Sequence, residues 1–199
     1  MKLAIIGPPG SGKGTYAQLL EKKYHLKRIT VGNILRKAAR KDKKLEKILD
    51  SGKLAPHKLV NNLLIKNIPK DNYVLDGSPR RFEEAKNLIK NNQIDKAILI
   101  KVSDKTVKSR LKGRLQCPKC GRTYHIKFLK PKHDNICDYD RTKLQVREDE
   151  CVIDERLKVY RKFETPIIKY FKKLGIIKEV NGERPIKVIF KDVEKLLKD

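Results

Sequence analysis

The chain opens with Lys2-Leu3-Ala4-Ile5-Ile6, a short apolar run. It passes directly into Gly7-Pro8-Pro9-Gly10-Ser11-Gly12-Lys13-Gly14-Thr15 before a helical pattern begins. A buried strand, a glycine-rich turn and a helix in that order leave few folds open. Such a loop turns its backbone N–H groups inward, and the helix N-terminus adds partial positive charge, so the corner suits a phosphate. The general pattern is G-x-x-x-x-G-K-[ST]. Gly7, Gly12 and Lys13 fit it, Gly14 stands where Ser or Thr is expected, and Thr15 supplies the hydroxyl one place later. An ordinary strand–turn–helix corner with a stray lysine has no reason to place three glycines, a lysine and an apolar strand in this order.

Further along, apolar spacing predicts a helix over about residues 12–24, with Ala17, Leu20 and Tyr24 on one face, and a strand near 27–30. Ile34, Leu35, Ala38 and Ala39 form a helical stripe with Arg36 on its flank. Asp50-Ser51-Gly52 marks a break, and Pro56 suits the first turn of a helix carrying Leu59, Leu63 and Leu64. In Asn72-Tyr73-Val74-Leu75-Asp76-Gly77-Ser78-Pro79-Arg80 an apolar strand ends in an aspartate, then a tight turn and an arginine. Alone, Asp-Gly is a turn signal. Beside a phosphate loop, Asp76 becomes a candidate for the carboxylate that helps hold Mg²⁺. Residues 97–102 form another buried strand, and strands alternating with helices predict an α/β fold with a parallel sheet. A helix over 106–114 would set Arg110 and Arg114 on one face.

From residue 115 to 147 the helical period disappears. Cys117-Pro118-Lys119-Cys120-Gly121 reads as a zinc-knuckle turn, and Cys137 and Asp140 repeat its x-x spacing. Two such turns can close a tetrahedral site. Cys151, His125 and His133 are rivals for the fourth position. A redox Cys-x-x-Cys would sit at a strand-to-helix corner, which this one does not. Helical spacing resumes at about Asp149 (Ile153, Leu157, Tyr160) and continues near Pro166 with Ile167, Ile168 and Phe171. Residues 176–180 read as a strand, Asn181-Gly182 as a turn, 186–190 as another extended piece, and 193–197 as a closing helix.

Taken together these segments resemble the adenylate kinases, in order and over nearly the whole chain. Gly7-x-Pro9-Gly10-x-Gly12-Lys13-Gly14-Thr15 is similar to that family's phosphate loop, Thr30-x-Gly32-x-x-Leu35-Arg36 to its monophosphate-binding segment, and Asp76-Gly77-x-Pro79-Arg80 to its second signature. Arg110-x-x-x-Arg114 resembles the start of the lid. Cys117, Cys120, Cys137 and Asp140 resemble the zinc-bearing long-lid form, with Tyr124-His125 where the lid turns back. Arg147 and Arg156 resemble two lid-side arginines that clasp phosphates.

The resemblance implies a P-loop parallel sheet flanked by helices (1–29, 61–114 and 148–199), a helical monophosphate-binding insert (30–60) and a zinc-bearing lid (115–147). It implies reversible phosphoryl transfer, ATP plus AMP giving two ADP, with Mg²⁺ on the donor and structural Zn²⁺ in the lid. Catalytic roles fall to Lys13, Arg80, Arg114, Arg147 and Arg156. ATP contacts fall to Gly10, Ser11, Gly12, Lys13, Gly14, Thr15, Arg110 and Tyr124, and AMP contacts to Thr30, Arg36, Gly77, Arg80 and Glu84. Thr15 and Asp76 would hold Mg²⁺, and Cys117, Cys120, Cys137 and Asp140 the zinc. Asn33 and His57 replace usual acidic residues, Ser78 replaces an aromatic, and the segment between Arg147 and Arg156 is about two residues short. Glu84 stands where the family has Gln; an ionised Glu only accepts hydrogen bonds, which would suit guanine's two N–H donors. A GMP kinase is therefore one alternative.

Composition bears on a second alternative, a zinc-containing nucleic-acid-binding protein. The chain has 199 residues and a formal net charge of +25, but its lysines are scattered and aromatics make up only 6%. That pattern favours a lysine-rich surface over a dedicated polyanion site. A phosphate-loop ATPase without an acceptor is disfavoured, because Arg36 and Arg80 would then have no second phosphate to grip. Four unevenly spaced cysteines do not make a secreted disulfide framework. No signal peptide or membrane span is expected, so the expectation is a cytoplasmic protein, a monomer, with ATP, AMP and ADP as partners and no specific nucleic acid.

Overall fold

The computed structural model describes residues 1–146 and 152–198. Its centre is a five-stranded sheet of β1 (Lys2–Ile6), β2 (Lys27–Thr30), β3 (Tyr73–Asp76), β4 (Lys96–Lys101) and β7 (Ile177–Asn181), ordered β2-β3-β1-β4-β7. Every pairing in it is parallel. Parallel strands are buried on both faces and so read as continuous apolar runs. β1 shows this directly: Leu3 and Ile5 enter one core cluster, Ala4 and Ile6 the other.

The first cluster is closed by α1 (Lys13–Tyr24), through Tyr16, Ala17 and Leu20, and by α8 (Ile186–Lys198), through Ile189 and Val193. The opposite face carries α2 (Val31–Ala39), α3 (Lys43–Asp50), α4 (His57–Asn67), α5 (Phe82–Lys90) and α7 (Ile153–Lys173), which bury Leu35, Leu45, Leu64, Leu88 and Phe171. Ser103 caps α6 (Asp104–Leu111) by accepting from the Thr106 N–H. The hairpin of β5 (Arg114–Gln116) and β6 (Thr123–His125) starts a separate small unit around Leu115, Tyr124 and Leu144.

Three sequence expectations change. α6 ends at Leu111, so Arg114 opens β5 rather than sharing a helical face with Arg110. The chain turns at Gly113, whose φ of +85° suits glycine. Residues 186–190 are the first turns of α8, not an extended piece. Their β-branched residues favour a strand locally, but Ile189 and Val193, one turn apart, bury a common stripe on the sheet. The helix expected from about Asp149 is described from Ile153, and it runs through Pro166 without a break.

Candidate active site

The carboxyl ends of the central strands lie side by side. Ile5 of β1 is in register with Asp76 of β3, and Asp76 with Thr30 of β2. Open α/β sheets bind ligands at this edge, and here a cleft of about 1920 Å³ opens from it. That is roughly twice the upper end of a single drug-sized pocket, about 1,000 Å³. Gly10, Gly12, Lys13, Gly14 and Thr15 line one part of it. Gly12 caps α1 with φ +95°, a left-handed turn that aims the first helical N–H groups into the cleft. Ser11 is fully buried beneath the loop. Lys13 Nζ donates to the carbonyls of Gly7 and Pro8. Burial lowers its pKa to about 8; Glu164 opposes that shift and Arg80 adds to it.

A Cβ on Gly14 would come within 3.3 Å of Asp76 Oδ2. The missing side chain therefore keeps a space between α1 and the Asp76 carboxylate, beside Thr15. Thr15 and Asp76 both line the cleft, and a hydroxyl with a carboxylate is a donor set that fits a hard, oxygen-seeking Mg²⁺ ion.

Across the cleft, Arg36 on α2 donates to Asn33 Oδ1 at 2.5 Å. Arg80 Nε donates to the Gly77 carbonyl at 3.0 Å, and the Arg80 backbone N–H donates to Glu84 Oε2 at 2.8 Å. Glu84 is 2% exposed, and burial pushes its pKa up. In the first turn of α5 it serves as a capping carboxyl. Thr30, Gly77, Arg114 and Arg156 also line the cleft. Arg147 lies outside the described residues.

Above the cleft, Cys117, Cys120, Cys137 and Asp140 place one ligand atom each within 4.8 Å of one another. Cys120 and Cys137 sulfurs are 3.6 Å apart, and Cys117 Sγ is 3.4 Å from Asp140 Oδ1. A tetrahedral zinc with bonds of about 2.3 Å to sulfur and about 2.0 Å to oxygen predicts separations of about 3.8 and 3.5 Å. The donor set fits that ion. Tyr124 supports it: its hydroxyl lies 3.4 Å from Cys137 Sγ and accepts from the Asp138 N–H. His125 is turned elsewhere, its Nδ1 accepting from the Lys127 N–H. Cys151 lies outside the described residues.

A family model described as adenylate kinase matches residues 5–176. An adenylate kinase of Petrotoga mobilis is 36% identical, over 100% of this chain and 98% of its own. Those of Thermotoga maritima (36%, over 98% and 96%) and Clostridium beijerinckii (35%, over 99% and 98%) are similarly close. The chain belongs to the adenylate kinase family. It is a phosphotransferase acting on nucleotides, which agrees with a cleft lined by Gly10, Gly12, Lys13 and Thr15 and by Arg36, Arg80, Arg114 and Arg156.

Around the expected residues the structure adds contacts that the sequence did not show. Arg110 Nη2 donates to the Gly182 carbonyl at 2.7 Å, and Nη1 reaches the Ser11 carbonyl at 3.5 Å. The guanidinium is thus held in the lining of the cleft, to which Arg184, Pro185 and Ile186 also belong. The turn signal at Asn181-Gly182 was visible, but not its proximity to Arg110. The small unit around the β5–β6 hairpin is joined to the main sheet's elements: Arg122 pairs with Glu21 of α1 at 3.1 Å, and Arg28 Nη2 donates to the Cys120 carbonyl at 3.4 Å. Glu164 is the largest omission. In sequence it is one more charge on a helix, whereas in the structure it is buried and lines the cleft.

Proposed function

We propose that the protein transfers the terminal phosphoryl group of ATP to AMP, reversibly, to give two ADP. The observation that carries this reading is one cleft lined both by the Lys13 loop and by Arg36 and Arg80, so that a second phosphate has its own grip. The acceptor is a phosphate monoester with a second pKa of about 6, so it is already ionised near neutrality. No general base is required; charge neutralisation and alignment are.

Lys13 and the loop N–H groups hold the donor phosphates. Arg110, pinned by two carbonyls, stacks on the donor base. Arg36 and Arg80 orient the acceptor phosphate in line with the transferring group. Arg114 and Arg156, joined by Arg147 on the strength of its sequence position, close over the charge that spreads across the equatorial oxygens. Mg²⁺, with Thr15 and Asp76 to hold it, supplies neutralisation of the donor phosphates. The lid excludes water, which would otherwise take the phosphoryl group. Zinc stiffens that lid and takes no part in transfer. The same reading divides the chain into the core, the 30–60 insert and the 115–147 lid. It makes the protein a cytoplasmic monomer, since each chain carries all the groups named.

AMP is favoured over GMP because the chain matches the adenylate kinase model over residues 5–176 and Glu84 alone speaks for a guanine acceptor. Diphosphate formation measured separately with AMP, GMP, CMP and UMP tests the reading. Preference for AMP is expected. Preference for GMP would overturn the acceptor, and no transfer to any acceptor would overturn the kinase.

A further inference from the structure

The Asn181-Gly182 turn, between β7 and α8, has no part in gripping phosphate, yet its loop is tied to distant parts of the chain. The Gly182 N–H donates to the Lys101 carbonyl at the end of β4, at 2.8 Å. A Cβ at Gly182 would meet Ile100 Cγ2 at 2.6 Å and Val102 Cγ1 at 2.7 Å, so the backbone lies hard against the end of that strand. The Gly182 carbonyl accepts from Arg110 Nη2 at 2.7 Å. Asn181 Oδ1 accepts from the Glu183 N–H at 3.0 Å, an Asx turn that fixes where the Glu183 side chain leaves the loop.

Glu183 uses both of its carboxylate oxygens. Oε1 accepts from the Ser103 N–H at 2.6 Å, and Oε2 from the Thr106 hydroxyl. A glutamate as exposed as this one ordinarily points into water, because a lone surface partner gains it little. Two simultaneous partners fix its direction instead. α6 does not require it as a cap, since Ser103 already accepts from the Thr106 N–H. The loop is therefore fastened to α6 near both ends of that helix, by Glu183 at the first turn and by Gly182 to Arg110 in the last. Thr106, Arg110 and Glu183 line the cleft, and so do Arg184, Pro185 and Ile186 just beyond.

Resting on the phosphotransfer reading above, we propose that Glu183 is a positioning residue for the donor base: by fastening the loop at 181–186 to α6 it fixes that loop relative to Arg110 and so sets which base the donor site prefers. Arg110 offers a plane on which any base stacks, so stacking alone does not choose among bases. Choice requires a contact to the base edge at a fixed distance from that plane. Glu183 holds the neighbouring stretch of backbone at such a distance without touching the nucleotide itself.

The test is steady-state kinetics of wild type, Glu183→Ala and Glu183→Gln, with ATP or GTP as donor and AMP as acceptor. Glu183→Ala should raise KM for ATP about tenfold and narrow the ATP-to-GTP ratio of kcat/KM about fivefold, with kcat and KM for AMP within about twofold of wild type. Glu183→Gln keeps an oxygen for the Ser103 N–H and an N–H for the Thr106 hydroxyl, so it should restore both values to within about twofold. An unchanged KM for ATP, a rise shared equally by ATP and AMP, or an unchanged ATP-to-GTP ratio overturns the proposal. So does a Gln variant as impaired as the Ala variant, which would place the effect in charge and not in position. If Glu183→Ala does not fold, Thr106→Val, which removes one of the two partners, is read in the same way with changes of about threefold. No transfer by wild type to any acceptor overturns instead the functional reading on which the proposal rests.

Discussion

Removing the metal should separate the lid from the rest of the molecule. The lid's own core consists of Leu115, Tyr124 and Leu144 with the ligand cysteines. Its regular structure is a hairpin of three residues against three. Three buried side chains at about 1.5–3 kcal/mol each contribute about 5–9 kcal/mol, against about 10–16 kcal/mol for a structural zinc. The ion outweighs the apolar core, and 115–146 cannot keep its fold without it. The main sheet and its two core clusters contain none of the four ligands. Chelation, or Cys137→Ser, should therefore leave the main thermal transition within a few degrees of wild type. Trypsin should cut at Lys119, Arg122, Lys127 and Lys132, which intact protein protects. Phosphoryl transfer to AMP should fall at least tenfold, with ATP still bound by the Lys13 loop. Metal-free protein, verified by elemental analysis, that resists trypsin and keeps its activity would refute the reasoning.

Three further outcomes follow from single contacts. Glu84→Gln should raise kcat/KM for AMP relative to GMP by about tenfold, the worth of one hydrogen bond of about 1.4 kcal/mol; an unchanged AMP-to-GMP ratio in the acceptor panel would deny Glu84 a part in base choice. Because the Glu164 pKa is raised from 4.5 to about 7, its contribution to stability is fully present below pH 4.5 and is lost as pH rises through 7. At about 1.4 kcal/mol per unit the loss approaches about 3 kcal/mol, and denaturant melts of Glu164→Gln across pH 5–9 should lack that slope. Gly121 has φ +72°, and a Cβ there would meet Asn33 Nδ2 at 1.5 Å. Gly121→Ala should displace Asn33 from Arg36 and lower kcat by about tenfold or more; Asn33→Ala alone should give a comparable loss, and the double variant in the same assay should fall little further.

The contiguous features were legible in the sequence because their physics is local. The Gly7–Thr15 loop carries its strand, turn and helix N-terminus within one stretch. The two x-x-spaced pairs of the lid announce a metal through the ligand chemistry alone. Parallel strands were equally readable, since burial on both faces leaves unbroken apolar runs such as Leu3 to Ile6. What escaped depends on contacts between distant segments. Arg110 is fixed by Gly182, 72 positions away. Glu164 shares a helix with exposed lysines, and only the fold shows that it is buried and lines the cleft. At residues 186–190 local β propensity gave way to a buried helical stripe, where packing outweighs intrinsic preference.

The resting position of Lys13 bears on what the site must rebuild between turnovers. Its ammonium group is not idle in water; it is held by the carbonyls of Gly7 and Pro8, two groups of the very loop that binds phosphate. An ammonium group carries three N–H donors, so the two carbonyls leave one for a phosphate oxygen. A nucleotide therefore meets a cation that the loop already holds in place, and when products leave the lysine keeps its seat. The loop spends none of its binding energy on finding its own cation between one turnover and the next.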